Sequence, residues 1–144
     1  MSRIVVGVDG SKGSEEALRF ALAEARLRGA SLRLVAAWAT PTTAYAGMGY
    51  VPTFDLREVE AEAAELKLKA AVAVLGDDPG VAIETVAVEG HPADMLLAQA
   101  VGADLLVVGT RGHGGFASLL LGSISHQVAQ HAPCPVAIVP HPAG

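Results

Sequence analysis

The chain is poor in cysteine, in aromatic side chains and in positive charge, and each shortage removes a class of protein. Cys134 is the sole cysteine among 144 residues, so no internal disulfide can form and no cysteine-based metal site can be assembled. Aromatic residues make up only 4% of the chain while half of it is hydrophobic, which predicts a tightly layered core of small aliphatic side chains and argues against disorder. Ten Lys and Arg stand against fifteen Asp and Glu, a formal net charge of -5, and the basic residues are scattered. A sequence-independent nucleic-acid binder needs a basic stripe to displace counterions, so no nucleic-acid partner is expected. No apolar run approaches the roughly 20 residues that span a bilayer, so no membrane partner is expected either. Met1 leads almost at once into the apolar run Ile4, Val5, Val6, leaving no room for the basic region and cleavage site of a signal peptide. The expectation is a cytoplasmic protein, organised as one domain over residues 1–144.

What is present is an alternation of short β-branched runs and helical periodicity. Arg3 to Val8 is continuously apolar and ends at Asp9-Gly10-Ser11, as a strand buried on both faces would. From Ser14 to Arg28 the apolar residues Leu18, Ala21, Leu22 and Ala25 recur at helical spacing, with Ser11 or Ser14 as cap and Gly29 as stop. Ser31 to Trp38 reads as a second strand. Thr40 to Pro52 has no periodicity and reads as a long loop, of a length found in lids and mobile connections. Asp55 and Glu58 have capping-box spacing and open a helix to about Leu75. Val81 to Val88 is a third strand, with Glu84 and Thr85 marking an edge. His91-Pro92 with Asp94 starts a third helix. Leu105 to Val108 is a fourth strand, a helix runs from Ser123 to about Ala132, and Val136 to Val139 is a fifth strand.

Strands separated by helices, with no space for hairpins, predict a three-layer α/β sandwich: a five-stranded parallel sheet with helices on both faces. If the most apolar strands, the first and fourth, lie together at the centre, the order is 3-2-1-4-5. Ligands then bind at the switch point outside their carboxyl ends, where Asp9 and the loop after Gly109 would meet.

The stretch from Val108 to Ser125 supplies the chemistry. Gly109, Gly112, Gly114, Gly115 and Gly122 sit in a strand-to-helix connection, and Ser123 falls at the start of the next helix, where unpaired N–H groups attract anions. A Walker A loop is excluded, because the segment from Gly7 to Ser14 lacks the Gly-Lys-Ser/Thr ending. A dinucleotide fingerprint is excluded, because Gly7, Gly10 and Gly13 have the wrong intervals. What remains is Gly109-x2-Gly112-x9-Gly122-Ser123.

With that motif, the opening I-V-V-G-V-D-G-S, the block D-L-L-V-V-G-T-R-G-H-G-G, L-L-G-S-I-S and the closing H-A-P-C-P-V-A-I-V-P, the chain resembles the universal stress protein family over essentially its whole length, and specifically the family's ATP-binding branch. The resemblance implies a HUP-type fold and ATP as the bound molecule, with Mg or Mn as an accompanying ion. It places Asp9 against the adenosine part, the backbone near Ala37 at the adenine edge, and Gly109, Thr110 and Gly112 along the ribose and phosphates. Gly122, Ser123 and Ser125 would hold the phosphate tail. It also implies a homodimer, and the apolar strand Val136 to Val139 at a sheet edge is the surface that a second copy would cover.

Structural readings stand beside these. Asp9 can serve an Asx turn at the strand end, the glycines can make a tight connection, and Ser123 can be a plain helix cap. Arg111 and His113 can meet phosphate charge or be solvated. His126 and His131 are five apart on a helix and share no face, so no metal site is expected. Functionally, a nucleotide-dependent regulatory module of the stress response leads. A slow ATPase or nucleotidyl-transfer enzyme would need a base, and Asp9 is the one candidate. The third reading is a structural dimer that binds cyclic AMP or no nucleotide.

Overall fold

The computed structural model describes residues 2–39, 56–110 and 122–141. Among the described residues, five strands and four helices follow one another as β1 (Arg3–Gly7), α1 (Lys12–Arg28), β2 (Ser31–Trp38), α2 (Leu56–Leu75), β3 (Ile83–Glu89), α3 (Pro92–Gln99), β4 (Leu105–Gly109), α4 (Ser123–His131) and β5 (Val136–Val139). The sheet has the order β3-β2-β1-β4-β5, with every pairing parallel. This is the order that the placement of the two most apolar strands predicted.

The alternation of side chains along the central strands creates the layers. Ile4 and Val6 of β1 and Leu105 and Val107 of β4 point to one face, where α1 and α2 cover them with Ala17, Leu18, Ala21, Leu22, Ala64 and Leu68. Val5, Leu106 and Val108 point to the other face, beneath Ala93, Leu96 and Ala100 around α3 and Val128 of α4. A strand covered on both faces has no position for a polar side chain, so these runs are apolar without interruption. The outer strand β3 is different: Glu84 and Thr85 are exposed, and Glu84 pairs with Arg33 of β2 directly across the ladder.

Several boundaries differ from the sequence reading for local reasons. β1 ends at Gly7, although the Val8 N–H still donates to Val35 O at 2.8 Å. The third strand begins at Ile83 rather than Val81. Helix α1 starts at Lys12, ahead of Ser14, because the Ser11 hydroxyl accepts the Ser14 N–H and so caps the first turn. It ends as expected: Gly29 adopts φ 64° and returns its N–H to the last carbonyls, a left-handed conformation that favours glycine. The Thr40 to Pro52 loop and the proposed cap Asp55 lie outside the described residues.

Candidate functional site

The connection from β1 leads to α1 on one face, and that from β4 leads to α4 on the other. The two adjacent strands therefore part at their carboxyl ends and leave a crevice. Its cavity volume is about 100 Å³. Val8, Val35, Ala37, Leu96, Val108 and Ile124 make most of the wall, and Asp9, Ser14 and Ser125 supply its polar side chains. Asp9 is the only titratable group among these described lining residues.

The β1–α1 junction is closed upon itself. Asp9 Oδ1 accepts both the Ser11 N–H at 2.9 Å and the Ser11 hydroxyl at 2.5 Å. The Ser11 oxygen in turn accepts the Ser14 N–H at 3.1 Å, and the Asp9 N–H donates to Ser14 Oγ at 3.2 Å. Asp9 thus serves an Asx turn and also faces the crevice, and its Oδ2 has no partner among the described residues.

The start of α4 is arranged differently. Gly122 is the N-cap of α4, with φ -66° and ψ 163°, and provides no side-chain hydrogen bond. Ser123 is the first helical residue and not the cap that the sequence reading allowed, because the Gly122 carbonyl already takes the first helical bond, from His126 N–H at 2.9 Å. The N–H groups of Ser123, Ile124 and Ser125 have no partner among the described residues, which is the usual condition of an uncapped first turn. The Gly122 N–H is committed to Thr110 O at 2.7 Å, and the buried Ser125 hydroxyl donates to the same carbonyl at 2.9 Å. Ser125 Oγ therefore ties the helix to the sheet. Thr110 also donates its N–H to Val139 O at 3.1 Å, while its own Oγ1 is buried without a hydrogen-bond partner among the described residues.

Gly109 lines the crevice, but the close approach that requires a glycine there is to α1. A Cβ at this position would meet Gly13 O at 3.0 Å and Gly13 C at 3.1 Å, both backbone atoms. The glycine spacing signalled close backbone approach, and the neighbour in this structure is a helix.

Of the residues singled out in the sequence, Asp9, Ala37, Gly109 and Ser125 are brought together in the crevice wall. Thr110 and Gly122 stand beside it, their carbonyls within hydrogen-bond distance of the Ser125 hydroxyl, and Ser123 opens the same helix. Gly112, together with Arg111, His113, Gly114 and Gly115, lies outside the described residues. Sequence reasoning passed over Ser14, Val35, Pro92, Leu96 and Ile124. Pro92 was within reach, since a proline at the first position of α3 must sit at the carboxyl end of the sheet that β3 feeds. Cys134 lies apart from the crevice lining. Burial pushes its thiol above the usual pKa and the Asp104 carboxylate adds to the shift, so the thiol stays protonated near neutral pH.

Among the described residues no helix is long and apolar enough to cross a membrane, and no cluster of His, Cys, Asp and Glu could hold a metal ion.

Comparison with known proteins agrees with this geometry. The sequence profile described as the universal stress protein family matches residues 1–140. The chain is 34% identical to the Bacillus subtilis universal stress protein YxiE over 145 residues, covering 96% of this chain and 98% of that one. It is 37% identical to a Thermus aquaticus universal stress protein over 139 residues, covering 94% and 96%. Among solved structures, the Archaeoglobus fulgidus universal stress protein in complex with dAMP superposes with a TM-score of 0.70 at 28% identity, covering 96% of this chain and 98% of that one. A universal stress protein in complex with cAMP gives 0.64 at 30% identity, covering 99% and 98%. These neighbours share the HUP-type α/β fold.

Proposed function

This chain belongs to the universal stress protein family, and we propose that it holds an adenine nucleotide, specifically ATP, in the crevice between β1 and β4 and acts as a nucleotide-dependent regulatory module in the cytoplasm. The observation that carries the reading is the uncapped start of α4. The N–H groups of Ser123, Ile124 and Ser125 have no partner among the described residues, and neither has the buried hydroxyl of Thr110, whose carbonyl is bonded to the start of the same helix. Backbone donors with the positive end of a helix dipole receive phosphate oxygens without any lysine. The apolar wall suits a flat base, with Ala37 at its edge, and Asp9 at the far junction accepts from a hydroxyl or amino group of the nucleoside. The family resemblance assigns Gly112 to the ribose and phosphates, and Mg or Mn would share the phosphate charge. The dAMP and cAMP complexes of the two structural neighbours support an adenine ligand.

The reading is of binding rather than turnover. The one carboxylate among the described lining residues, Asp9, already accepts two bonds on Oδ1 and serves the helix start. Titration calorimetry of the purified protein with ATP, AMP and cAMP should give saturable binding, tightest for ATP. Absence of heat with all three would end the reading, and a preference for cAMP would replace ATP with the ligand of the second neighbour.

We also assign the homodimer to β5. Val136–Val139 is an uncharged apolar strand that pairs with β4 on one side and is only partly buried. An exposed apolar edge is an aggregation hazard unless a second copy covers it. Sedimentation at micromolar concentration should give twice the monomer mass of 14.6 kDa; a monomer would overturn the assignment.

A further inference from the structure

The arrangement at the β1–α1 junction goes further than a helix cap. Ser11 is 7% exposed, and its hydroxyl works in two directions at once. Its single proton goes to Asp9 Oδ1, and its lone pair receives the Ser14 N–H. With the Ser11 N–H also on Oδ1 and the Asp9 N–H held by Ser14 Oγ, both the side chain and the backbone of Asp9 are fixed. A carboxylate has two oxygens, each able to accept more than one bond. Here Oδ1 takes two bonds from Ser11, and Oδ2, without a partner among the described residues, is left to accept from whatever enters the crevice. An ionised carboxylate accepts and cannot donate, so the group opposite it must be a hydroxyl or an amine, never a phosphate oxygen.

We propose that Ser11 is a positioning residue that holds the Asp9 carboxylate so that the crevice selects nucleotides bearing sugar hydroxyls. This deepens the nucleotide reading and rests on it. The two junctions then give the site a direction: donors at α4 receive the anionic end, and a locked acceptor at β1 receives the hydroxylated end. A site built to hydrogen-bond a hydroxyl rejects the analogue that lacks it, because its buried polar group is left unpaired. Bonds to charged acceptors are the stronger kind, so a preference of at least about tenfold for ATP over 2′,3′-dideoxyATP is expected. Without the Ser11 proton, Asp9 Oδ1 loses its shortest bond and the carboxylate is free to turn, which removes the preference but leaves the phosphate grip.

The test is the ratio of the two affinities, measured by calorimetry on the same preparation of each variant. Ser11→Gly is the informative change, since glycine is well tolerated at an N-cap and the helix keeps its start. The ratio should fall from at least about tenfold to about twofold, with affinity for 2′,3′-dideoxyATP nearly unchanged. Ser11→Thr keeps the hydroxyl and should restore the ratio, and Asp9→Asn should lose it. A merely structural role for Ser11 would lower both affinities together, which would overturn the proposal, as would a ratio that survives in Ser11→Gly or is not restored by Ser11→Thr. Equal binding of both nucleotides by the unaltered protein would sink the proposal while leaving the nucleotide site standing. Binding of neither would remove the nucleotide reading itself.

Discussion

The two strand-to-helix junctions that face each other across the crevice are built on opposite principles. At β1–α1, side chains satisfy the backbone: Ser11 caps the helix, Asp9 caps Ser11, and Ser14 holds Asp9. At β4–α4, a glycine stands at the cap, the first helical N–H groups have no partner among the described residues, and a threonine hydroxyl is buried without one. Leaving a helix start uncapped costs about 1 kcal/mol, and a buried unpaired hydroxyl about as much again. A fold that closes one junction so fully has the means to close the other. On the proposed reading, a ligand supplies bonds at the α4 start that the described residues do not, and the β1–α1 side holds Asp9 in place.

The sharpest way to break this contrast is to cap the start of α4. Gly122→Asp installs a carboxylate at the N-cap, the position where aspartate is favoured and where it complements the helix dipole. We expect nucleotide affinity to fall about 100-fold or more, roughly 3 kcal/mol, because the new anion occupies the phosphate donors. Thermal stability of the unliganded protein should rise slightly at the same time, by about 0.5 kcal/mol. Calorimetry and thermal unfolding on one preparation check both signs. Parallel loss of affinity and stability would show that Gly122 matters for folding alone and that the donors of α4 are not the anion site.

A second change separates ligand approach from helix approach. Gly109→Ala places a methyl against the backbone of Gly13, and backbone cannot yield as a flexible side chain would. Overpacking of this kind costs about 1 to 3 kcal/mol, so the melting temperature of the unliganded protein should fall by several degrees. If stability is unchanged and only nucleotide binding suffers, the glycine serves the ligand directly and the packing account of this junction is wrong.

How far the sequence could be read follows from the same contrast. The strand order was legible because burial on both faces leaves a continuous apolar run, as in Ile4 to Val6 of β1 and Leu105 to Val108 of β4, whereas β2 carries Arg33 and β3 carries Glu84. The edge position of β3 was legible because Glu84 and Thr85 interrupt its pattern. Gly29 announced the end of α1 by the conformation it alone takes easily. What the sequence hid was division of labour between like residues. Ser11 and Ser14 were equal candidates for a cap, and only the three-residue reach of Ser11 Oγ to the Ser14 N–H decides between them. Gly109 and Gly122 belong to one motif, yet one is needed for packing and the other stands at a cap, since spacing records a tight backbone without recording its neighbour. Ser125 was grouped with the phosphate-holding residues, and the structure directs its proton to the Thr110 carbonyl. The apolar wall from Val35, Leu96 and Ile124 carried no signal at all, because residues that line a crevice and residues that fill a core are the same residues.

The smallest expected effect is the most discriminating for the start of α4. Thr110→Val exchanges the buried, unpartnered Oγ1 for a methyl of nearly the same size and leaves the Thr110 backbone bonds to Val139, Gly122 and Ser125 in place. A hydroxyl that no group satisfies destabilises the fold by the desolvation it suffers, so its removal should stabilise the unliganded protein by about 1 kcal/mol. In a fully bonded junction, deleting a hydroxyl has the opposite sign: Ser11 loses both a cap and a carboxylate partner. If the Thr110 hydroxyl is kept for a ligand, the same valine variant should bind ATP several-fold more weakly, and the stabilisation on adding saturating nucleotide should shrink accordingly. Thermal unfolding with and without ATP reads both quantities. A valine variant that is destabilised in the unliganded state would mean that the hydroxyl already has a partner in solution, and the two junctions would then differ less than their geometry shows.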